Sequence, residues 1–325
     1  MMEAPVRRRR QVLDSVARAD RVNQRRALGT LASLVVTTRT AKKYDDAVRR
    51  FFTFMRTEKL SLPSLFTGFD DVICQYIEMC WHEGEGRSLI SSTLAGLQHF
   101  CPALRHHLPC SWRLVSAWQR HELPSRAAPF TRNVVLALSG KALRDGDATL
   151  SVGLLVAFEG MLRTGELFNL TCKDCVVADD HCSVILSLGL TKGGARRGAA
   201  ESVVLYDRMV VDFVRARLLK GKPGDKFMNM SPASFRQKFN NLCSSLDLQD
   251  IGYRPYSLRR GGTTHHFQCH ASMSSTCVRG RWGSEKSARI YINEGLAALA
   301  ATRQTPKAQK LCSSALTFLE KTWKG

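Results

Sequence analysis

This sequence predicts a mostly α protein with a small β-sheet, arranged in two domains. Apolar residues recur at spacings of three and four along most of the chain, the signature of helices burying one face. Only two short runs, Cys182 to Leu190 and Glu201 to Asp207, carry the composition of strands. Between the helical blocks, Leu123-Pro124-Ser125 and Ala128-Pro129 place two prolines in six residues, which breaks helices and fits a linker. A chain of 325 residues is long enough for two cores of about 100–200 residues each.

The elements follow in order. Residues 1–30 are arginine-rich and read as a flexible basic arm, with Arg7-Arg8-Arg9-Arg10 serving as a nuclear-import signal, a phosphate-gripping tail or simply a solvated run. Residues 31–122 read as a helical domain. Ala41, Tyr44, Val48, Phe51, Phe52 and Met55 form one apolar stripe, with Lys42, Lys43, Arg49 and Arg50 on the other faces. Further helices are expected over Asp70–Trp81, Ser88–Phe100 and Trp112–Arg120. Residues 123–130 are the linker, and residues 131–303 a mixed domain. Helices are expected there over Thr131–Arg144 and Thr149–Phe168, then two strands joined by the glycine-rich Lys192–Gly198, a hairpin or mobile loop. Ser231-Pro232 starts a helical stretch that runs to Trp323. Residues 304–325 form a tail helix, and beyond Gly295 the apolar Leu296, Leu299, Leu311, Leu316, Phe318 and Leu319 either dock on a neighbouring molecule or pack on their own subunit.

Composition narrows the function. The chain carries 48 Lys+Arg against 28 Asp+Glu, a net charge of +20. Such an excess concentrates polyanions, nucleic acid first among them, with acidic lipid or a plain solvated surface as the other readings. No apolar run approaches the roughly 18 residues of a membrane span; Leu154 to Phe158 is a core segment. The eight arginines within residues 1–26 and the lack of an apolar stretch there do not read as a secretory leader. Eleven cysteines, an odd number, fit free thiols better than a disulfide framework. Cys172, Cys175, His181 and Cys182 have zinc-ligand spacing, but buried cysteines at the start of a strand explain them more simply, so no metal is assigned.

Three segments carry the chemistry. In Gly160-Met161-Leu162-Arg163-Thr164-Gly165-Glu166, an arginine lies in an apolar stretch, where an unpaired charge is expensive. Glu166, three residues on, can hold it on the same helix face. In Tyr256-Ser257-Leu258-Arg259-Arg260-Gly261-Gly262, polar groups recur at helix spacing beside paired glycines that permit close backbone approach. Gly280-Arg281-Trp282-Gly283 leads to Arg289-Ile290-Tyr291, with Trp282 nine residues before Tyr291.

In this order the segments resemble the arginine, His-x-x-Arg and Gly-(His/Trp)…Tyr motifs of the tyrosine recombinase (phage integrase) family, over roughly residues 31–300. The resemblance implies a helical N-terminal core-binding domain and a mixed α/β catalytic domain closing as a clamp on double-stranded DNA. Four protomers would assemble on DNA during recombination. The Arg7–Arg10 run, not the resemblance, points to the nucleus if the cell is eukaryotic, with the cytoplasm expected otherwise. It further implies that Arg163 and Arg259 stabilise the charge developing on a phosphodiester, that Tyr291 is the nucleophile, that Lys192 at the hairpin tip protonates the leaving oxygen, and that Trp282 buttresses the site. Glu166 and Arg260 are supporting residues, and Lys42, Lys43, Arg49, Arg50, Arg196, Arg197 and Arg281 are the expected DNA contacts. The arginines supply the electrostatic stabilisation, so neither metal nor cofactor is expected. Tyr256 stands where the family usually has histidine; a phenol with a pKa of about 10 is a poor base, so slower cleavage is expected. A type IB topoisomerase-like nicking-closing enzyme and a domesticated, non-catalytic DNA-binding protein are the alternatives.

Overall fold

The structure, a computed structural model, describes residues 18–178, 181–189, 191, 193–194 and 198–324. The chain divides into two compact units, Met1–Ser125 and Arg126–Gly325. The division falls inside the proline-bearing segment.

In the first unit, Arg18–Leu28 forms helix α1, so this part of the expected arm is helical. Its alanine, leucine and arginines are good helix formers, and local propensity prevails there. A short α2 (Leu31–Leu34) precedes four helices that build the core: α3 (Thr38–Thr57), α4 (Phe66–His82), α5 (Arg87–Phe100) and α6 (Pro109–His121). Thr37 caps α3 by accepting the Thr40 N–H at 3.3 Å. Pro109 opens α6, where the buried Asp70 carboxylate accepts the N–H groups of Cys110 and Ser111 at 2.9 and 3.1 Å. Phe51, Ile73, Ile90 and Leu94 are fully buried, and Phe51 meets Tyr76 edge-on at 5.4 Å. Phe52, expected in the apolar stripe, is 41% exposed, because α3 turns its neighbours Val48, Phe51 and Met55 inward.

The second unit is centred on α8 (Ala148–Glu159), buried from Leu150 to Phe158. A helix apolar all round must be surrounded, and α7 (Arg132–Arg144), α10 (Arg208–Leu219) and α12 (Tyr256–His270) pack around it. The expected single helix over 149–168 is interrupted: Gly160 ends α8, Met161 adopts φ +45°, and α9 begins at Thr164 and runs to Asn169. Three antiparallel strands follow in the order β1 (Cys175–Val177), β2 (Val184–Gly189) and β3 (Glu201–Leu205). β1 was not expected; three residues are too few to show a period, and pairing with β2 makes the strand. The chain closes with α11 (Pro232–Ser245), α13 (Met273–Gly280), α14 (Glu285–Arg289), α15 (Glu294–Thr302) and α16 (Pro306–Lys324).

The tail helix α16 lies on α7 of its own unit, burying Ala308, Cys312, Ala315 and Leu319. Gly140 is the contact point: a Cβ there would run into the carbonyl of Ala315. Likewise Gly262 brings α12 onto the end of α8, where a Cβ would strike the carbonyl of Phe158. That crossing sets the depth of Arg259 and hence of the site.

Candidate active site

The break between α8 and α9 organises the site. With Met161 left-handed, the carbonyls of Gly160 and Met161 no longer continue the helix and turn toward neighbouring arginines. Arg163 becomes the N-cap of α9, and Glu166 reaches back to it. One carboxylate oxygen accepts the Arg163 backbone N–H at 2.8 Å, and the other pairs with the Arg163 guanidinium. The pairing expected from a shared helix face therefore exists, but it is made by capping across a helix start.

Arg259, on α12, is fully buried. One of its Nη atoms donates to the Met161 carbonyl, the other donates to the Gly280 carbonyl at 2.8 Å, and Glu166 lies 3.7 Å away. Its Nε has no hydrogen-bond partner among the described residues, so the guanidinium keeps a donor in reserve. Burial, with Arg163 and Arg281 nearby, lowers its pKa to about 10, so it remains a cation at neutral pH. Its Cζ lies 4.6 Å from the Trp282 ring centre and 5.3 Å from that of Tyr291.

Tyr291 sits in the turn between α14 and α15. The carbonyl of Ile290, the residue before it, accepts from Arg260 at 3.1 Å and from Arg126 at 3.3 Å. Its own carbonyl accepts from Thr264 Oγ1 at 3.3 Å. The Trp282 and Tyr256 rings lie 4.7 and 5.6 Å from its ring. Burial pushes the Tyr291 phenol up, but the Tyr256 hydroxyl, the Arg259 and Arg163 guanidiniums and the Trp282 indole outweigh it and hold the phenol below its ordinary value. Tyr256 moves the other way: burial and its bond to Tyr291 raise it. Of the pair, Tyr256 keeps its proton and Tyr291 is the easier to ionise.

The sequence matches no protein-family model and no curated protein. Among solved structures, the Tn1549 transposon integrase in complex with transposon right end DNA aligns with a TM-score of 0.54 at 13% identity, over 86% of this chain and 96% of that one. A lambda integrase dimer bound to a COC′ core site aligns with a TM-score of 0.52 at 14% identity, over 88% of this chain and 77% of that one. The chain has the tyrosine recombinase fold. The fold class expected from the motif order is the one observed, including the helical first unit and the small sheet of the second.

Within this recombinase fold, Arg163, Glu166, Tyr256, Arg259, Trp282 and Tyr291 converge, and Arg260 lies just behind the Tyr291 turn. Lys192, Arg196 and Arg197 lie outside the described residues. Lys42, Lys43, Arg49 and Arg50 are exposed on α3 of the first unit, with Arg49 paired to Asp45 at 3.0 Å and Arg50 to Glu85 at 3.3 Å.

Arg281 requires correction. Expected as a DNA contact, its side chain is only 4% exposed and is bonded to Glu166, so it has no surface to offer a duplex. Its place immediately before Trp282 was the available signal that it belongs to the site. The Met161 carbonyl, shared by Arg259 and Arg281, left no trace in the sequence.

Proposed function

We propose that this chain is a DNA strand transferase that cleaves and rejoins DNA through a 3′-phosphotyrosine at Tyr291. The observation that carries the proposal is the packing of one ionisable tyrosine against a buried arginine, Arg259, whose guanidinium is 5.3 Å from the phenol ring. Arg163 is fixed to the same carboxylate that faces Arg259. The substrate class is supported by the transposon end and core-site DNA held by the two structural neighbours and by the net charge of +20.

In this reading Tyr291 Oη attacks a backbone phosphorus, forming the phosphotyrosine bond as the bond to the 5′ oxygen breaks. The phenolic proton leaves to water, and the Tyr256 hydroxyl and Trp282 indole N–H stabilise the phenolate. Arg163 and Arg259 donate to the non-bridging oxygens as their charge grows, the largest contribution such a site makes. Lys192, from its sequence position, protonates the departing 5′ oxygen. The reverse attack by a 5′ hydroxyl rejoins DNA, with the bond energy retained in the phosphotyrosine ester.

The test uses nicked duplexes drawn from a random pool enriched by binding to the protein. The expected result is a denaturation-resistant protein–DNA adduct that is lost in Tyr291→Phe. Tight binding with no adduct would overturn the enzyme and leave a DNA-binding protein. Exchange of strands between two duplexes then separates a recombinase from a nicking-closing enzyme.

A further inference from the structure

We infer that Arg281 is a positioning residue for strand transfer, holding Glu166 so that Arg259 remains available to phosphate. This rests on the proposed function and deepens it. The Glu166 carboxylate faces three guanidiniums: Arg163 is paired to it, Arg281 Nη2 is 2.9 Å from Oε2, and Arg259 Nη1 stands off at 3.7 Å from the same oxygen. Oε2 also accepts the Arg163 backbone N–H at 2.8 Å, so Arg281 is its one close guanidinium and Arg259 stands outside it.

Arg281 is itself tightly held. Its Nη1 donates to the Gly160 carbonyl at 3.1 Å and the Arg279 carbonyl at 3.3 Å, and Nη2 also donates to the Met161 carbonyl at 3.2 Å. Its Nε is 3.8 Å from Glu201. The backbone adopts φ +60°, a conformation side-chain-bearing residues seldom occupy, and this aims the guanidinium inward. The side chain has no access to a DNA strand, so its influence passes through Glu166 and the Met161 carbonyl, the two groups it shares with Arg259. Among the influences that hold the Glu166 carboxyl ionised against burial, Arg281 is the largest.

If Arg281 is removed, Glu166 Oε2 keeps only the Arg163 backbone N–H, loses its close cation and draws in Arg259, which then has one donor fewer for phosphate. Losing one such donor slows chemistry by about 100-fold. Arg281→Met should therefore slow adduct formation by that order with little change in DNA affinity. Adding Glu166→Gln to Arg281→Met removes the competing carboxylate and should recover the rate by about tenfold. A purely structural role predicts no such recovery, because the second substitution would add its own loss.

The readouts are the single-turnover rate of adduct formation, DNA affinity and the melting temperature of each variant. Arg281→Lys, which keeps a charge but loses the fork of bonds, serves if Arg281→Met does not fold and should give an intermediate rate. A native-like rate in Arg281→Met, or in Arg281→Lys where that variant stands in, overturns the inference alone, as does a double variant slower than Arg281→Met. Absence of any adduct from the native protein overturns the proposed function and this inference with it.

Discussion

Replacing Glu166 with glutamine removes one charge from the second unit while keeping the size and shape of the side chain. Glu166 is buried, and it faces Arg259, fully buried, Arg281 at 4% side-chain exposure and Arg163 at 29%. Removing one partner of a buried ion pair leaves uncompensated charge and costs about 3–5 kcal/mol; here the glutamine oxygen still accepts one bond, so the loss is about 3 kcal/mol. In a unit of this size, each kcal/mol moves the melting temperature by about 2–4 °C, so Glu166→Gln should melt about 6–12 °C lower at neutral pH. The pH dependence gives a second readout. Burial opposes ionisation of Glu166, but Arg281, the Arg163 N–H and the charges of Arg163 and Arg259 outweigh it, so the folded pKa is below the unfolded value of about 4.3. The stabilisation is therefore fully present above that pH and is lost as the pH falls through the lower folded value. The gap between native and variant, followed by calorimetry, should be widest at neutral pH and narrow toward acid. A shift below roughly 2 °C, or a gap that persists unchanged into acid, would show that the Glu166 charge does not hold these guanidiniums in the fold.

Three further outcomes are expected. Gly262→Ala pushes a methyl group into the Phe158 carbonyl and forces α12 off α8; overpacking of this kind costs about 3 kcal/mol, which should appear as a lower urea midpoint, and an unchanged midpoint would contradict the close approach. Tyr256→Phe removes one of the groups holding the Tyr291 phenol down, so the rising limb of the cleavage-rate profile should move to higher pH; an unmoved limb would exclude Tyr256 from the phenol's environment. Changing Arg7, Arg8, Arg9 and Arg10 to alanine should weaken DNA binding and flatten its dependence on salt, each lost phosphate contact reducing the logarithmic slope by about 0.9, and an unchanged slope would show that the arm does not grip phosphate.

Much of this site was legible because its charges are anomalous for their surroundings. Arg163 in an apolar stretch demanded a partner, and Glu166 was within reach. Arg259 and Arg260 beside paired glycines signalled a helix pressed against another backbone, and Gly262 on the Phe158 carbonyl is that contact. What could not be read is where local pattern yields to tertiary contact. The apolar spacing from Thr149 to Phe168 is continuous, yet the helix ends at Glu159 because Arg259 and Arg281 claim the carbonyls of Gly160 and Met161. Those arginines lie 98 and 120 residues from Met161 in sequence, beyond any local period. Arg281 was misplaced for the related reason that a basic residue in a basic chain reads as surface unless its counter-ion is known. Helix α16 reads either way in the sequence, and in this structure the small residues Gly140, Ala308 and Ala315, which let α7 and α16 approach, seat its buried face on its own unit.

The most direct test of the account is the chemical identity of the residue joined to DNA. The adduct trapped on nicked duplex would be digested with protease and nuclease, and the nucleotide-bearing peptide sequenced by mass spectrometry. Attack by Tyr291 leaves a nucleotide 3′-phosphate on Tyr291, with Tyr256 unmodified in the same sample. A nucleotide on Tyr256, or on any residue other than Tyr291, would contradict that attack.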